Sequence, residues 1–95
     1  MLSTDLDNPL SIPYFLWDEP MTVADLRRSL SGSRDDDRFR LLGKVLREAR
    51  DRDVWKFTTP KEVRDGWEKL SPYLGRRRTF WEFLLKAWEK EGLID

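Results

Sequence analysis

The chain has 95 residues, a formal net charge of zero, and neither cysteine nor histidine. These absences exclude disulfides, thiolate nucleophiles, histidine general bases and the usual zinc ligand sets. No apolar run approaches the ~18 residues that span a bilayer, and the first residues lack the basic and apolar regions of a signal peptide, so we expect a cytoplasmic protein.

Residues 1–21 are predicted to form an extended N-terminal arm. They contain three of the five prolines and show no helical periodicity. Ile12 and the segment Tyr14–Trp17 form a compact apolar group within this arm. Because such a group is unstable in water, we expect it either to pack on the rest of the protein or to bind another chain.

Charge is distributed unevenly along the chain. Residues 1–26 carry five acidic side chains and no basic one, whereas residues 27–95 carry 18 basic and 13 acidic side chains. The acidic arm is therefore expected to fold against the basic body, which makes nucleic acid a less favoured partner.

A first helix is predicted over residues 23–30. Thr22 and Asp25 are spaced as in a capping box, with Asp in place of the usual Glu, and Gly32 is expected to end the helix.

A second helix is predicted over residues 34–51, with Ser33 as its cap. Asp35–Asp37 would lie in its first turn, where the helix dipole favours negative charge. Their carboxylates point about 100° apart, so we interpret them as helix-end charge and not as a metal site. The helix should have an apolar side and a basic side, formed by Phe39, Leu42, Val45, Leu46 and Ala49, and by Arg40, Lys44 and Arg47, respectively.

A third helix is predicted over residues 60–70, after an extended connection at 53–58. Its start is well marked, since Thr59 can cap it, Pro60 suits the first helical position, and Glu62 completes a capping box.

A fourth helix is predicted over residues 80–91. Thr79 and Glu82 have capping-box spacing, and Gly92 followed by Leu93 is typical of a Schellman ending. The apolar residues of this helix span about 200° of the helical wheel, more than the ~100° of an ordinary surface helix. Either the helix lies centrally in the core or part of it binds a partner.

These elements predict an all-α fold: a small single-domain bundle of about four helices (residues 22–95) with the arm (1–21) laid across it. Gly43 and Gly66 fall inside helices, where they would permit close approach of neighbouring elements. The five glycines form no phosphate-binding loop, and no spacing of carboxylates or lysines indicates a catalytic site. We expect a non-enzymatic protein with no cofactor and no bound metal.

Some aromatic residues are candidates for binding a partner protein. Phe39, Trp67, Phe80, Phe83 and Trp88 are predicted to lie in the core, as aromatics at helical spacing usually do. Core and partner-binding roles remain open for four others, Phe15, Trp17, Trp81 and Leu85. An exposed cluster of these residues would form a protein-binding surface, for another protein or for self-association.

A nucleic-acid-binding regulator is the alternative function. The basic side of the second helix and the triplet Arg76–Arg78 could form one phosphate-binding patch, whose candidate residues are Arg40, Lys44, Arg47, Arg76, Arg77 and Arg78. A helix-turn-helix is less favoured, because the fourth helix offers apolar side chains where a recognition helix needs polar ones.

Three segments resemble a group of small bacterial proteins without an assigned function. They are PYFLWD at 13–18, KVLREARDRDVW at 44–55 and RTFWEFLL at 78–85. Members of this group are often encoded beside nucleotidyltransferase-like toxins of the abortive-infection type. The resemblance implies an antitoxin-like or accessory role and supplies no catalytic residue.

Overall fold

The computed structural model of the protein describes residues 2–32 and 34–93, which form a small, mostly helical domain, as predicted. The helices of this part of the chain are α1 (Val23–Gly32), α2 (Asp35–Glu48), α3 (Asp51–Val54), α4 (Pro60–Asp65), α5 (Trp67–Leu70) and α6 (Arg78–Lys90). Two short strands, β1 (Leu2–Ser3) and β2 (Ile12–Pro13), pair in parallel, and 3₁₀ turns cover Tyr14–Leu16, Ser71–Tyr73 and Gly75–Arg77.

The N-terminal arm packs on the helical body. Leu6, Phe15 and Leu16 are buried in the common hydrophobic core. Strands β1 and β2 both lie in this arm and return it on itself, and Leu6 lies in the segment between them. Of the two behaviours expected for the apolar group, docking within the same chain is observed for Phe15 and Leu16.

The arm also completes the N-terminus of α1. The backbone carbonyls of Ser11 and Pro9 accept hydrogen bonds from the first two amides of the helix, at 2.8 and 3.0 Å. The hydroxyl of Thr22 accepts one from the Asp25 amide at 3.1 Å, as its capping spacing predicts. Three amides that a helix start leaves without helical partners are thus satisfied. The helix includes Gly32 and so extends two residues beyond the predicted end.

Helix α2 begins at Asp35 and buries its predicted apolar side. The side chains expected to face inward are all in the core: Phe39, Leu42, Val45, Leu46 and Ala49. Arg34 occupies the N-cap position and provides no side-chain cap. The predicted cap, Ser33, lies outside the described residues.

The predicted end of α2 is wrong, since the helix stops at Glu48. Continuation would require the amide of Arg50 to bond to the carbonyl of Leu46. Instead the Arg50 amide donates to the hydroxyl of Tyr14 at 2.7 Å, and the Leu46 carbonyl accepts from the indole N–H of Trp81 at 3.0 Å. The chain then turns into α3, so the extended connection predicted at 53–58 is also wrong over its first residues.

The third predicted helix is present as two shorter ones. Helix α4 begins at Pro60 as predicted, with the hydroxyl of Thr59 accepting from the amide of Glu62 at 3.2 Å. Gly66, at φ −97° and ψ 12°, separates α4 from α5. A Cβ at Gly66 would lie 2.5 Å from Cε1 of Phe39, so this glycine allows the break to approach the Phe39 ring closely.

Helix α6 differs from the prediction at its start and agrees at its end. It begins at Arg78, directly after a 3₁₀ turn, so Thr79 lies inside the helix and the predicted capping box is wrong. At the other end Gly92 has φ 75°, and the amide of Leu93 bonds to the carbonyl of Trp88 at 2.8 Å. This 6→1 bond after a left-handed glycine confirms the Schellman ending.

Gly43 permits a close contact between α2 and the segment after α5. A Cβ at this position would lie 2.4 Å from Cβ of Tyr73, a distance that real side chains do not adopt. Because Tyr73 Cβ is fixed to its backbone, the two segments would have to separate to admit a methyl group. The predicted role of Gly43 in close approach is confirmed.

Candidate protein-interaction surface

The structure buries three of the four residues that the sequence analysis left as partner-binding candidates. Phe15 is 1% exposed, Trp81 0% and Leu85 5%, and all three belong to the core. Of the two roles left open for these three residues, the structure shows the core one. Trp17 is 64% exposed and keeps its place as a candidate.

Helix α6 presents a different apolar surface to solvent. Phe83, near the middle of the helix, is 68% exposed, and its neighbours on the same side are half-buried. We call this surface the outer face of α6 and define it as Phe80, Phe83, Leu84 and Ala87. The spacing i, i+3, i+4, i+7 places these four side chains along one stripe.

The core assignment of Phe83 was wrong, and helix geometry explains why. Trp81 and Leu85 point into the core, where Trp81 donates its hydrogen bond to Leu46 and packs edge-on against Trp55 at 5.6 Å between ring centroids. Positions two apart on a helix point about 200° apart. Once Trp81 is inside, Phe83 has to be outside. The sequence showed that the apolar arc was too wide for one buried side, but not which half would be buried.

The other predicted core aromatics are placed mostly as expected. Phe39 is buried, and Trp67, Phe80 and Trp88 are half-buried against the core. Phe80 is covered on one side by its own neighbours, since its ring lies 5.1 Å from that of Trp81 and 4.3 Å from the guanidinium of Arg77.

The two ends of α6 carry opposite charge. Arg76 and Arg78 lie at its N-terminal end, and Glu89 and Glu91 at its C-terminal end, with Lys90 between them. All five side chains are exposed. Arg76 and Glu91 make no ion pair with any other residue in 2–32 or 34–93. This polarity is the reverse of what the helix dipole favours.

The basic side of α2 is covered by the acidic arm. The guanidinium of Arg40 forms two parallel hydrogen bonds to the carboxylate of Glu19, at 2.7 and 2.8 Å. Lys44 is buried, bonds to the carboxylate of Asp18 and lies 3.7 Å from that of Glu19. Two of the six nucleic-acid-binding candidates are therefore neutralised within the chain.

These pairs shift the titration of the groups that form them. The hydrogen bond from Lys44 lowers the pKa of Asp18, and the hydrogen bond from Arg40 lowers the pKa of Glu19. The hydrogen bond with Glu19 correspondingly raises the pKa of Arg40. All three shifts favour the charged forms, as expected for ion pairs.

Two of the four remaining basic candidates are already engaged within the chain. Arg47 is close to the turn before α6, since its Cδ lies 3.8 Å from the position that a Cβ on Gly75 would take. The guanidinium of Arg47 donates a hydrogen bond to the carbonyl of Tyr73 at 2.7 Å. Arg77 pairs with the carboxylate of Asp51. Arg76 and Arg78 are exposed. Of the six residues of the predicted patch, Arg40, Lys44 and Arg77 are therefore paired with carboxylates of the same chain.

A groove of about 600 Å³ is lined by residues of α1, α2, α4 and α5. Its apolar walls include Leu30, Phe39 and Trp67, and its rim carries both signs of charge, with Arg38 and Lys69 beside Glu62 and Asp65. A rim of mixed charge selects no particular class of charged ligand.

Within 2–32 and 34–93, no three acidic side chains are grouped so that they could hold a metal ion. In the same part of the chain no helix has the length and apolar character that crossing a membrane requires. Comparison with protein-family models, with curated proteins and with solved structures found no match.

Proposed function

We propose that the protein is a non-enzymatic protein-interaction module that binds a partner protein through the outer face of α6. The observation that carries this proposal is the exposure of Phe83, which is 68% accessible in the middle of an apolar stripe. The part of a large aromatic side chain that stays in water contributes no burial energy to the chain that carries it. Large aromatic side chains are over-represented among the residues that dominate interface energies.

The geometry of the stripe indicates the kind of contact. Side chains at i, i+3, i+4 and i+7 are the anchors with which an amphipathic helix enters an apolar groove or packs on another helix. Trp81 and Leu85 hold the opposite side of α6 in the core, so the helix is fixed and its outer face is preorganised. Preorganisation lowers the entropic cost of binding.

Nucleic-acid binding has less support. Phosphate binding requires several unpaired cationic groups on one surface. Arg40, Lys44 and Arg77 are each paired with a carboxylate of this chain. An antitoxin-like role stays a prediction, based on the resemblance of three segments, and it would make the partner a toxin.

The test is capture of a partner from host cells, followed by titration of the purified partner. The bait is the full chain, compared with Phe83→Glu and with a charge control, Lys61→Glu, at an exposed position of α4. Circular dichroism would establish that both variants are folded. We expect the wild type and Lys61→Glu to bind the captured partner with equal affinity. Phe83→Glu should bind the same partner at least tenfold more weakly.

Two results would overturn the proposal. One is a partner whose affinity is unchanged in Phe83→Glu, which would place the binding surface elsewhere. The other is recovery of nucleic acid alone, released by salt and lost in Arg76→Glu/Arg78→Glu, which would favour the nucleic-acid-binding alternative.

A further inference from the structure

We infer that the outer face of α6 binds a second copy of this chain, with the two α6 helices antiparallel about a two-fold axis. This inference rests on the proposed function, because it uses the same surface and names its occupant. An isologous contact of this kind uses one patch twice, so the patch must be complementary to itself. Both the sizes and the charges along α6 meet that condition.

The side-chain sizes along the stripe are self-complementary. If the two-fold axis passes between Phe83 and Leu84, Phe80 of one copy faces Ala87 of the other, and Phe83 faces Leu84. A large residue then meets a smaller one at every level of the stripe, which allows the helices to interdigitate. No other register places the large Phe80 ring opposite the small Ala87 side chain at both ends.

The charges are self-complementary in the same register. Arg76 of one copy comes opposite Glu91 of the other, and the pairing occurs twice because of the symmetry. Both residues are exposed and make no ion pair with another described residue of their own chain. In a single chain the basic group lies at the positive end of the helix dipole and the acidic group at the negative end. An antiparallel second copy brings each charge to the opposite charge and also pairs the helix dipoles favourably.

The expected dimer is weak. Helix α6 has 13 residues, which corresponds to a length of about 20 Å. A contact along one such helix falls at or below the lower end of stable interfaces, about 1,200 Å² of total buried area. We therefore expect a dissociation constant in the range of about 10 µM, with monomer and dimer in rapid exchange.

The test is sedimentation velocity of the purified full chain, without any host protein, from about 1 to 500 µM. We expect a concentration-dependent shift from monomer to dimer, and a monomer at every concentration for Phe83→Glu. Arg76→Glu and Glu91→Arg should each weaken the dimer about tenfold. The double variant Arg76→Glu/Glu91→Arg should restore it, because the exchanged charges again face each other. Lys61→Glu, remote from α6, should behave as the wild type.

Three outcomes would overturn the inference: a wild-type monomer at all concentrations, a dimer that Phe83→Glu leaves intact, or a double variant no better than the single ones. The last would exclude the antiparallel register. A monomeric wild type that still loses a captured partner in Phe83→Glu would refute the second copy while leaving the proposed function in place. A dimer for which no other partner is captured would support the second copy and would refute binding of a different protein at this face.

Discussion

Tyr14 and Trp81 bond to the two backbone groups that a further turn of α2 would have joined to each other. The Tyr14 hydroxyl accepts from the Arg50 amide, and the Trp81 indole donates to the Leu46 carbonyl. Tyr14 belongs to the arm and Trp81 to α6, so the end of α2 is the point at which the arm and the last helix are both attached to the body. These contacts hold the buried side of α6 in place and so define its outer face.

Replacing Trp81 by Phe should destabilise the protein strongly. The variant leaves the carbonyl of Leu46 without its partner inside the core and also creates a cavity. We expect a loss of about 2–4 kcal/mol in the free energy of unfolding. Urea unfolding followed by circular dichroism would measure it. Trp17→Phe, the same change at an exposed position, should stay within about 0.5 kcal/mol of the wild type, and an equal loss in both would contradict the assigned role.

Replacing Tyr14 by Phe should loosen the arm. The hydroxyl accepts from the Arg50 amide and donates to the carboxylate of Asp53, each at 2.7 Å. Burial raises the pKa of Tyr14, so the hydroxyl keeps the proton that it donates. We expect a loss of about 1–2 kcal/mol and faster hydrogen exchange at the Arg50 amide.

The matched control for this variant is Tyr73→Phe. Tyr73 contacts α2 through its Cβ and its backbone, and its hydroxyl makes no hydrogen bond to another described residue. Loss of the Tyr73 hydroxyl should leave the free energy of unfolding and the rate of hydrogen exchange at the Arg50 amide close to their wild-type values. If the two variants behaved alike, the Tyr14 hydroxyl would not be what ends α2.

Gly43→Ala should be destabilising although it improves helix propensity. The new methyl group would lie 2.4 Å from Cβ of Tyr73, so α2 and the following segment would have to separate. We expect a net cost of about 1–3 kcal/mol, seen as a lower midpoint of thermal unfolding. Gly32→Ala meets nothing within 4 Å and should be close to neutral. A Gly43→Ala variant as stable as the wild type would show that the contact is not close-packed.

Glu19→Gln should reduce stability at neutral pH but not in acid. Arg40 lowers the pKa of Glu19 below its ordinary value of 4.5, so the folded state binds fewer protons on this group than the unfolded state. Its contribution is fully present above pH 4.5 and is lost as the pH falls through the folded-state pKa. Because the pair is partly exposed, we expect a difference of only about 0.5 kcal/mol at pH 7.

Urea unfolding of wild type and Glu19→Gln at pH 7 and at successively lower pH, until the Glu19 carboxylate is protonated in the folded state, would measure this change. The titration of Asp18 is common to both proteins and largely cancels in the comparison. A difference that persisted unchanged in acid would mean that the Glu19 carboxylate stabilises the fold by something other than its charge.

The sequence by itself determined the features whose hydrogen bonds and packing patterns span only a few residues. The start of α4 at Thr59 and Pro60, the Schellman ending at Gly92, and the buried side of α2 all follow from local spacing. Each depends on groups within one or two helical turns, so the residues that decide it are adjacent in the printed chain.

The tertiary structure alone decided where α2 ends, which half of the apolar arc of α6 faces water, and whether the basic side of α2 is free. The Tyr14 and Trp81 bonds that end α2 join residues 36 and 35 positions apart. Trp81 and Phe83 are both large aromatic residues of the same apolar arc, and only the position of the body selects Trp81 for the core. Composition showed an acidic arm and a basic body, but the pairing of Glu19 with Arg40 required the arm to fold back. These choices depend on contacts between distant segments, which no local pattern encodes.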